Sequence, residues 1–187
     1  MTDLDPTDTL ARTIWGEARG CGGPGMRHVA SVIINRADHP TWWGRSVVGV
    51  CTQPWQFSCR NPNDPNLAKL LAVTEADPTF AAAMRIAALA ISRQLPDGTY
   101  GADSYYALSM KTPPAWAATA RRVAVDGWHA FYVTRPNAPP GTSPDVPNVS
   151  ISAAASQVAH AAAASLLPNP ESEADRLDDL YNPKELT

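Results

Sequence analysis

Prolines divide this chain into segments and limit where regular secondary structure can form. The sequence has 18 prolines in 187 residues. They are concentrated from Pro54 to Pro65, at Pro113 and Pro114, and from Pro136 to Pro147. Because proline lacks an amide hydrogen and restricts the residue before it, these groups predict loops and linkers. Regular helices are therefore expected outside them.

Apolar residues recur at helical spacing in three segments. The predicted helices span residues 7–18, 24–37 and 77–94. Thr7 or Asp8 is expected to cap the first helix, and a run of glycines follows it. Glu17 therefore lies in the last turn of that helix, where the helix dipole disfavours a negative charge. A residue with a purely structural role would more often be Lys or Arg at this position.

The last part of the predicted domain, before residue 134, predicts a small β structure. Asp126-Gly127 separates the apolar segments RRVAV and WHAFYV, which is typical of a β-hairpin. A short helix or strand is predicted at residues 46–51. We therefore expect a mainly α (α+β) domain over residues 1–134. A Pro-rich linker is predicted at 135–148, followed by an alanine-rich and then acidic helical tail at 149–187.

Charge and hydropathy exclude several classes of protein. The net charge is −3, and the 15 basic residues are scattered, so we expect no nucleic-acid partner. No apolar run approaches the ~20 residues that a membrane span needs. The N-terminal sequence MTDLDPTDTL has neither the basic nor the apolar part of a secretory signal. We therefore predict synthesis in the cytoplasm without a signal peptide.

Common catalytic and metal-binding motifs are missing. The sequence has no GxSxG, no HExxH and no phosphate-binding loop. Cys21, Cys51 and Cys59 have no CxxC spacing, so we predict free thiols, no metal and no cofactor. A Cys51–Cys59 bridge after release from the cell stays open, as does a thiol peptidase that uses Cys21 or Cys59.

Aromatic residues are concentrated outside the predicted helices. They are Trp42, Trp43, Trp55, Phe57, Tyr105, Tyr106 and Trp116. Aromatic faces can stack on sugar rings, while amide side chains such as Gln53 and Gln56 bond the hydroxyl groups. The alternative is that each aromatic residue only fills a small core under long loops. Glu17 near such a set favours a sugar-binding site.

Five segments resemble one family in their order along the chain. They are ARTIWGEARG, HVASVIINRADHP, SVVGVCTQPWQFS, GADSYYAL and GWHAFYV. Together they resemble the SleB-type cell wall hydrolase family, which includes spore-cortex lytic enzymes and phage-borne muramidases. The resemblance covers about residues 8–134. It implies a lysozyme-like domain of the lytic-transglycosylase type that acts on peptidoglycan glycan strands.

The resemblance also implies roles for individual residues. Glu17 matches the essential carboxylate. The implied substrate-binding residues are Gln56, Phe57, Tyr105, Tyr106, Trp116 and His129, although His129 could equally be structural. Asn35 and Arg36 are expected to tie the second helix to neighbouring loops. A second carboxylate, as a hydrolytic mechanism normally needs, has no motif support; the candidates are Asp38, Asp64 and Asp103.

The predicted function is that of a peptidoglycan-degrading muramidase. It would cleave the bond between N-acetylmuramic acid and N-acetylglucosamine, as a lytic transglycosylase with one catalytic glutamate. The predicted setting is a phage or prophage endolysin that reaches the cell wall after release by a holin, or from a virion. The C-terminal tail would pack back on the domain or dock a partner. A non-catalytic peptidoglycan-binding or virion structural protein is the alternative.

Overall fold

The computed structural model describes residues 4–135, and within them it shows a mainly helical domain with a small sheet, as predicted. Its elements are α1 (Pro6–Ala18), α2 (Gly22–Asp38), α3 (Val47–Thr52), α4 (Leu67–Ala72), α5 (Pro78–Ile91), β1 (Ser104–Ala107), β2 (Arg121–Val125) and β3 (His129–Val133). None of the described helices has the length and apolar character to cross a membrane. Residues 136–187, with nearly all of the predicted linker and the whole predicted tail, lie outside the described part.

The core is built from three helices. Helix α1 packs against both α2 and α5. Trp15 of α1 and Phe80 of α5 meet edge to face, with ring centroids 6.3 Å apart, and both are nearly fully buried. The other large buried side chains include Leu10, Ile14, Met26, Val29, Val32, Ile33, Val50 and Leu70. These apolar stripes at helical spacing explain why the helices form where the sequence predicts them.

The predicted cap of α1 was wrong. Asp5 is the N-cap, and its carboxylate accepts a hydrogen bond from the Asp8 amide at 2.8 Å. Pro6 then occupies the first helical turn, where its missing amide hydrogen costs nothing. The helix consequently starts one residue before Thr7. Its C-terminal end at Ala18 agrees with the prediction and places Glu17 in the last turn.

Helix α5 begins as predicted but ends early. The carboxylate of Asp77 accepts hydrogen bonds from the amides of Thr79 and Phe80, each at 2.9 Å. The helix ends at Ile91 rather than at residue 94. Arg93 has a φ of 62°, a left-handed conformation that cannot continue an α-helix.

Helix α4 was not predicted, and α1 helps to hold it. Arg12 of α1 donates from Nη1 to the backbone oxygens of Leu70, Leu71 and Val73, at 2.7, 3.1 and 3.2 Å. These are carbonyl groups at the end of α4, where a short helix has no partners of its own. The helix therefore depends on a tertiary contact that local sequence does not reveal.

The sheet has one more strand than the sequence predicts. The hairpin of β2 and β3 around Asp126-Gly127 is present, and Gly127 has a φ of 90°. Strand β1 pairs antiparallel with the other side of β3, so that the order is β1-β3-β2. All five residues of β3 are buried. This central strand holds β1 in place, which carries one of the predicted site residues toward α1.

Candidate active site

Glu17 lies at the point where three parts of the chain meet. Its Oε1 accepts hydrogen bonds from the Cys59 backbone N–H at 3.2 Å and from the Ser58 hydroxyl at 3.4 Å. Its Oε2 accepts one from the Tyr105 hydroxyl at 3.4 Å. The side chain is partly exposed. The carboxylate is therefore oriented from two sides and still reaches solvent.

Gly16 allows the segment with Ser58 and Cys59 to approach α1. A Cβ at position 16 would lie 2.7 Å from the Cys59 Sγ and 2.8 Å from Leu70 Cδ1. Separations this short do not occur between real carbon atoms and such neighbours. Only glycine fits here, and the Trp-Gly-Glu order of the sequence places it directly before the carboxylate.

Arg60 fastens the same segment to α1. Its Nε donates to Thr13 Oγ1 at 2.8 Å, and its Nη2 donates to the Thr9 backbone oxygen at 2.7 Å. Thr9 and Thr13 are buried one helical turn apart. The 3₁₀ turn Ser58–Arg60 is thus held along α1, where the backbone N–H of Cys59 donates to Glu17.

Tyr105 connects the sheet to the carboxylate. Its ring packs edge to face on His129, at 5.3 Å between centroids, and lies 5.9 Å from the ring of Phe131. Burial and the nearby charge of Glu17 raise the pKa of Tyr105 well above its usual value. The phenol therefore stays protonated, and it acts as a hydrogen-bond donor to Glu17 at any working pH.

His129 is fixed by its packing and by the turn before it. Asp126 accepts the His129 backbone N–H at 2.7 Å and is paired with Nδ1 of His28 at 2.8 Å. Burial acts to raise the pKa of Asp126, but the nearby His129 ring, the hydrogen bond to His28 and the backbone N–H groups of His129 and Trp128 outweigh it and lower this pKa well below its usual range. The Nδ1 of His129 lies 3.6 Å from Asp126, which is too far for a hydrogen bond. The His129 ring therefore acts as a packing partner for the ring of Tyr105.

Arg36 brings a buried positive charge close to the carboxylate. Its side chain donates from Nε to the Asp103 backbone oxygen at 2.6 Å, and the residue is 8% exposed. Its guanidinium lies 5.5 Å from the ring of Phe57. Burial lowers the pKa of Arg36, and the nearby charges of Asp103 and Glu17 oppose that effect. Arg36 thus ties α2 to the strand region, as the sequence predicts.

Asn35 makes the second predicted tie. Its side-chain amide donates to the Ala102 backbone oxygen at 3.0 Å and to Asp97 Oδ2 at 3.1 Å. These acceptors lie in the loop that precedes β1. The Asn35-Arg36 pair therefore positions β1, and through it Tyr105.

The structure places the six predicted substrate-binding residues in two groups. Tyr105 hydrogen-bonds to Glu17 and His129 packs on Tyr105, while Gln56 and Phe57 directly precede the residues of the segment that binds Glu17. Phe57 is 2% exposed and packs in the core, so its ring supports the site from inside. Gln56 is partly exposed, and its amide O and N are buried without a hydrogen-bond partner among the described residues.

Tyr106 and Trp116 lie on the other face of the sheet from Tyr105. Successive residues of a strand point to opposite faces. The ring of Tyr106 stacks on Tyr132 at 5.7 Å, and Trp116 packs edge to face on Tyr132 at 5.3 Å. These three rings form a separate aromatic cluster. Their predicted contact with substrate stays a prediction, and it would need a glycan strand that reaches this second face.

Several residues of the site were missed at the sequence level. Ser58 and Cys59 supply two of the three donors to Glu17, while Gly16 and Arg60 set their position. A glycine directly before the carboxylate was the one available signal. The Cys59 donor is a backbone N–H, which every residue except proline has, so its residue type carries no information.

No second carboxylate hydrogen-bonds within this group among the described residues. Asp38 forms a two-fold ion pair with Arg93. Asp103 is fully buried and accepts hydrogen bonds from Thr134 and Arg135. Asp64 accepts the Asn66 amide at 2.7 Å, and its charge acts on the nearby thiol of Cys59. Of the three candidates, Asp64 is the one whose charge acts on a residue that hydrogen-bonds to Glu17.

The cysteines have the properties of structural thiols. Burial raises the pKa of Cys51 to about 11, and burial and Glu17 raise that of Cys59 further. Burial and Asp126 also raise the pKa of Cys21. A reactive cysteine needs the opposite shift, because the thiolate is the nucleophile. Over residues 4–135, no cluster of three or more His, Cys, Asp or Glu side chains could hold a metal ion.

Fold and site together define a mainly helical α+β domain built around one partly exposed carboxylate. The chain belongs to the cell wall hydrolase family, whose model matches residues 21–132. This match begins four residues after Glu17, so the assignment of Glu17 depends on the geometry above. No curated protein matches the chain.

Two solved structures share this fold. One is the catalytic domain of the germination-specific lytic transglycosylase SleB from Bacillus anthracis, with a TM-score of 0.53 and 22% identity; the similarity covers 71% of this chain and 98% of that one. The other is the catalytic domain of the Bacillus cereus SleB protein, with a TM-score of 0.51 and 24% identity over 71% and 94% of the two chains. The SleB-like fold predicted from the motifs is confirmed.

Proposed function

We propose that this protein cleaves peptidoglycan glycan strands between N-acetylmuramic acid and N-acetylglucosamine, as a lytic transglycosylase with Glu17 as its acid and base. The main support is the geometry of Glu17. Both carboxylate oxygens are held by donors from separate segments, while the side chain remains partly exposed. Membership of the cell wall hydrolase family supports peptidoglycan as the substrate.

The chemistry needs one proton carrier in two successive roles. Glu17 first donates a proton to the glycosidic oxygen as the bond to C1 of muramic acid breaks and positive charge develops there. The 6-hydroxyl oxygen of the same sugar then attacks C1, and Glu17 takes the hydroxyl proton. The products are a free N-acetylglucosamine end and a 1,6-anhydro end. No water is consumed, and Glu17 ends in its starting protonation state.

The donors around Glu17 suit this exchange. The Cys59 N–H and the Tyr105 hydroxyl stabilise the carboxylate that remains after the first proton transfer. Neither group loses its proton at neutral pH, because an amide does not ionise there and the pKa of Tyr105 is raised. The carboxylate is consequently held in one orientation while the second proton arrives.

Hydrolysis is the second candidate mechanism, and the position of Asp64 is the observation that supports it. A retaining or inverting hydrolase uses two carboxylates on either side of the bond. The charge of Asp64 acts on Cys59, whose backbone amide binds Glu17. In that case water would replace the 6-hydroxyl as the attacking group, and the product would carry a reducing end.

Two variants and one product analysis test the proposal. Glu17→Gln keeps the size and the acceptor oxygen of the side chain but cannot donate or take up a proton as the acid does. We expect an unchanged fold by circular dichroism and a loss of turbidity clearing on purified peptidoglycan of at least about 100-fold. Full clearing by this variant would refute the proposed role of Glu17.

Mass spectrometry of the released fragments separates the two mechanisms. Lytic cleavage gives anhydro ends that are lighter by one water than hydrolytic ends. Asp64→Asn should retain activity and give the same anhydro products. Reducing ends that disappear with Asp64→Asn would establish the hydrolytic route instead. Binding to peptidoglycan without release of any fragment would favour the non-catalytic alternative.

The biological setting is proposed from the resemblance to phage-borne muramidases. We propose an endolysin that needs a holin to reach the wall, or a lysin that a virion carries, with a partner docked through the C-terminal tail. Expression in a bacterial host, with and without a co-expressed holin, tests the first form. Lysis only in the presence of the holin is expected, and lysis without it would contradict holin dependence.

A further inference from the structure

Trp55 combines a strained backbone with an exposed aromatic ring. Its φ is 65°, and 73% of the residue is exposed. The left-handed conformation is unfavourable for a bulky residue, since its Cβ crowds the following carbonyl group. Burial of a large side chain could compensate for this strain, but the indole of Trp55 is in solvent. Folding alone therefore gives no reason for tryptophan at this position.

The position of Trp55 relates it to Glu17. It lies three residues before Ser58 and four before Cys59, the two residues of this segment that hydrogen-bond to Glu17. Three residues span at most about 11 Å. The intervening Phe57 is buried in the core. The backbone N–H of Gln56 donates to the Gln53 carbonyl oxygen at 3.2 Å, which closes a turn that contains Trp55. A fixed turn thus presents Trp55 within about 11 Å along the chain of Ser58, the nearer of the two residues that hydrogen-bond to Glu17.

The stretch of chain that contains Trp55 is polar but uncharged. No Asp, Glu, Lys or Arg occurs from residue 46 to residue 59. Thr52 is exposed, and Gln53 and Gln56 are partly exposed. Such a surface offers a flat apolar face with amide and hydroxyl groups around it, which matches the C–H face and the hydroxyls of a neutral sugar.

Gln56 has a side-chain amide that no described residue bonds. Both polar atoms of its amide are buried and have no partner among the described residues. Leaving such atoms unsatisfied costs free energy, and native proteins rarely do so without a reason. Because these atoms are closed off from solvent, the partly exposed side chain would rotate to present its amide to a hydroxyl or acetamido group next to Trp55.

We propose that Trp55 is a binding platform on which a neutral sugar ring of the glycan strand stacks, next to the bond that Glu17 cleaves. The ring of this sugar lies on the indole face, and its polar groups bond the amide of Gln56. The strain at Trp55 is offset only when the glycan is bound. The class of ligand, a neutral hexosamine strand, follows from the proposed function, whereas the choice of residue follows from its own conformation and exposure.

Another residue of the chain provides a matched control. Tyr100 is also aromatic, left-handed and exposed, with a φ of 54° and 61% exposure. It lies in a turn that carries none of the hydrogen-bond partners of Glu17. Replacing either residue with glycine relieves the same kind of backbone strain. Only the change at position 55 should affect the glycan.

The test compares Trp55→Gly, Trp55→Phe and Tyr100→Gly in the full-length chain. Binding to insoluble peptidoglycan is measured in the Glu17→Gln background, where no cleavage occurs, and KM for clearing is measured with Glu17 intact. We expect Trp55→Gly to weaken binding and to raise KM about ten-fold. Trp55→Phe should keep most of the binding, and Tyr100→Gly should bind like the parent protein.

Thermal stability provides the second measurement. Trp55→Gly should leave Tm unchanged or raise it by roughly 2–4 °C, because the strain is removed. Unchanged binding by Trp55→Gly, or weaker binding together with a lower Tm, would overturn the proposal. If the parent protein cleaves peptidoglycan but Trp55→Gly binds it as well as the parent does, only this inference is refuted. Trp55-dependent binding without any cleavage by the parent protein refutes only the proposed function.

Discussion

The backbone N–H of Cys59 donates a hydrogen bond to Oε1 of Glu17 across 3.2 Å, although the two residues are 42 positions apart in the chain. Their proximity depends on Gly16, because any larger residue there would collide with Cys59. A carboxylate at the C-terminal end of a helix faces partial negative charge from the helix carbonyl groups. The amide of Cys59 supplies the opposite partial charge.

Gly16→Ala should impair both stability and activity. The added Cβ would lie 2.7–2.8 Å from Cys59 and Leu70 side-chain atoms, so that the 3₁₀ turn must move away from α1. We expect the free energy of unfolding to fall by about 1–3 kcal/mol, as is common for overpacked sites. Clearing activity should fall further than the stability loss explains, because the amide of Cys59 moves away from Glu17.

Gly23→Ala is the matched control for this change. Gly23 lies in the first turn of α2, and a Cβ there would meet nothing within 4 Å. Urea titrations and clearing rates of both variants provide the comparison. If the two alanine variants have the same stability and the same clearing rate, the close approach at position 16 does not matter for activity.

Tyr105→Phe should lower kcat with little effect on KM or on the fold. The change removes only the hydroxyl that donates to Glu17 and keeps the ring packed on His129. Loss of one such hydrogen bond is worth about 1 kcal/mol, which corresponds to roughly a five-fold lower rate. Steady-state clearing rates at several peptidoglycan concentrations separate kcat from KM.

Tyr132→Phe tests whether the effect is specific to the hydroxyl beside Glu17. The Tyr132 hydroxyl bonds that of Tyr106 at 3.5 Å, on the other face of the sheet. We expect normal kinetics from this variant. A larger loss of kcat with Tyr132→Phe than with Tyr105→Phe would contradict the arrangement proposed for the site.

Asp126→Asn should reduce the stability of the fold at neutral pH. It should also make that stability depend less on pH in the acidic range. Because the pKa of Asp126 is lowered in the folded state, its pairing contributes stability above the unfolded-state pKa of about 3.9. That contribution is lost as pH falls through the folded-state value. With the side chain 4% exposed, we expect a loss of about 1–3 kcal/mol at pH 7 and a smaller one at low pH.

Denaturant midpoints between pH 3 and pH 7 measure this effect. Asp8→Asn is the comparison, since Asp8 forms an ion pair with Arg12 but its side chain is 41% exposed. Exposed pairs of this kind contribute less than about 1 kcal/mol. An Asp126→Asn curve parallel to that of the parent protein would show that the His28–Asp126 pair does not stabilise the fold.

Much of the fold could be predicted from local sequence. Periodic apolar residues gave the positions of α1, α2 and α5 to within a few residues, and Asp126-Gly127 gave the hairpin. These signals are local, because helical periodicity and turn chemistry depend on neighbours in the chain. Helix α4 and strand β1 were missed since each depends on a distant partner, Arg12 for the helix and β3 for the strand.

The sequence by itself determined that one carboxylate, Glu17, ends a helix in front of a glycine-rich segment, within an ordered set of family motifs. Only the tertiary structure decided which groups hold that carboxylate. Strand alternation turned Tyr105 toward it and Tyr106 away, and the gap at Gly16 admitted the amide of Cys59. A backbone donor has no residue type of its own, so its position becomes known only when the chain is folded.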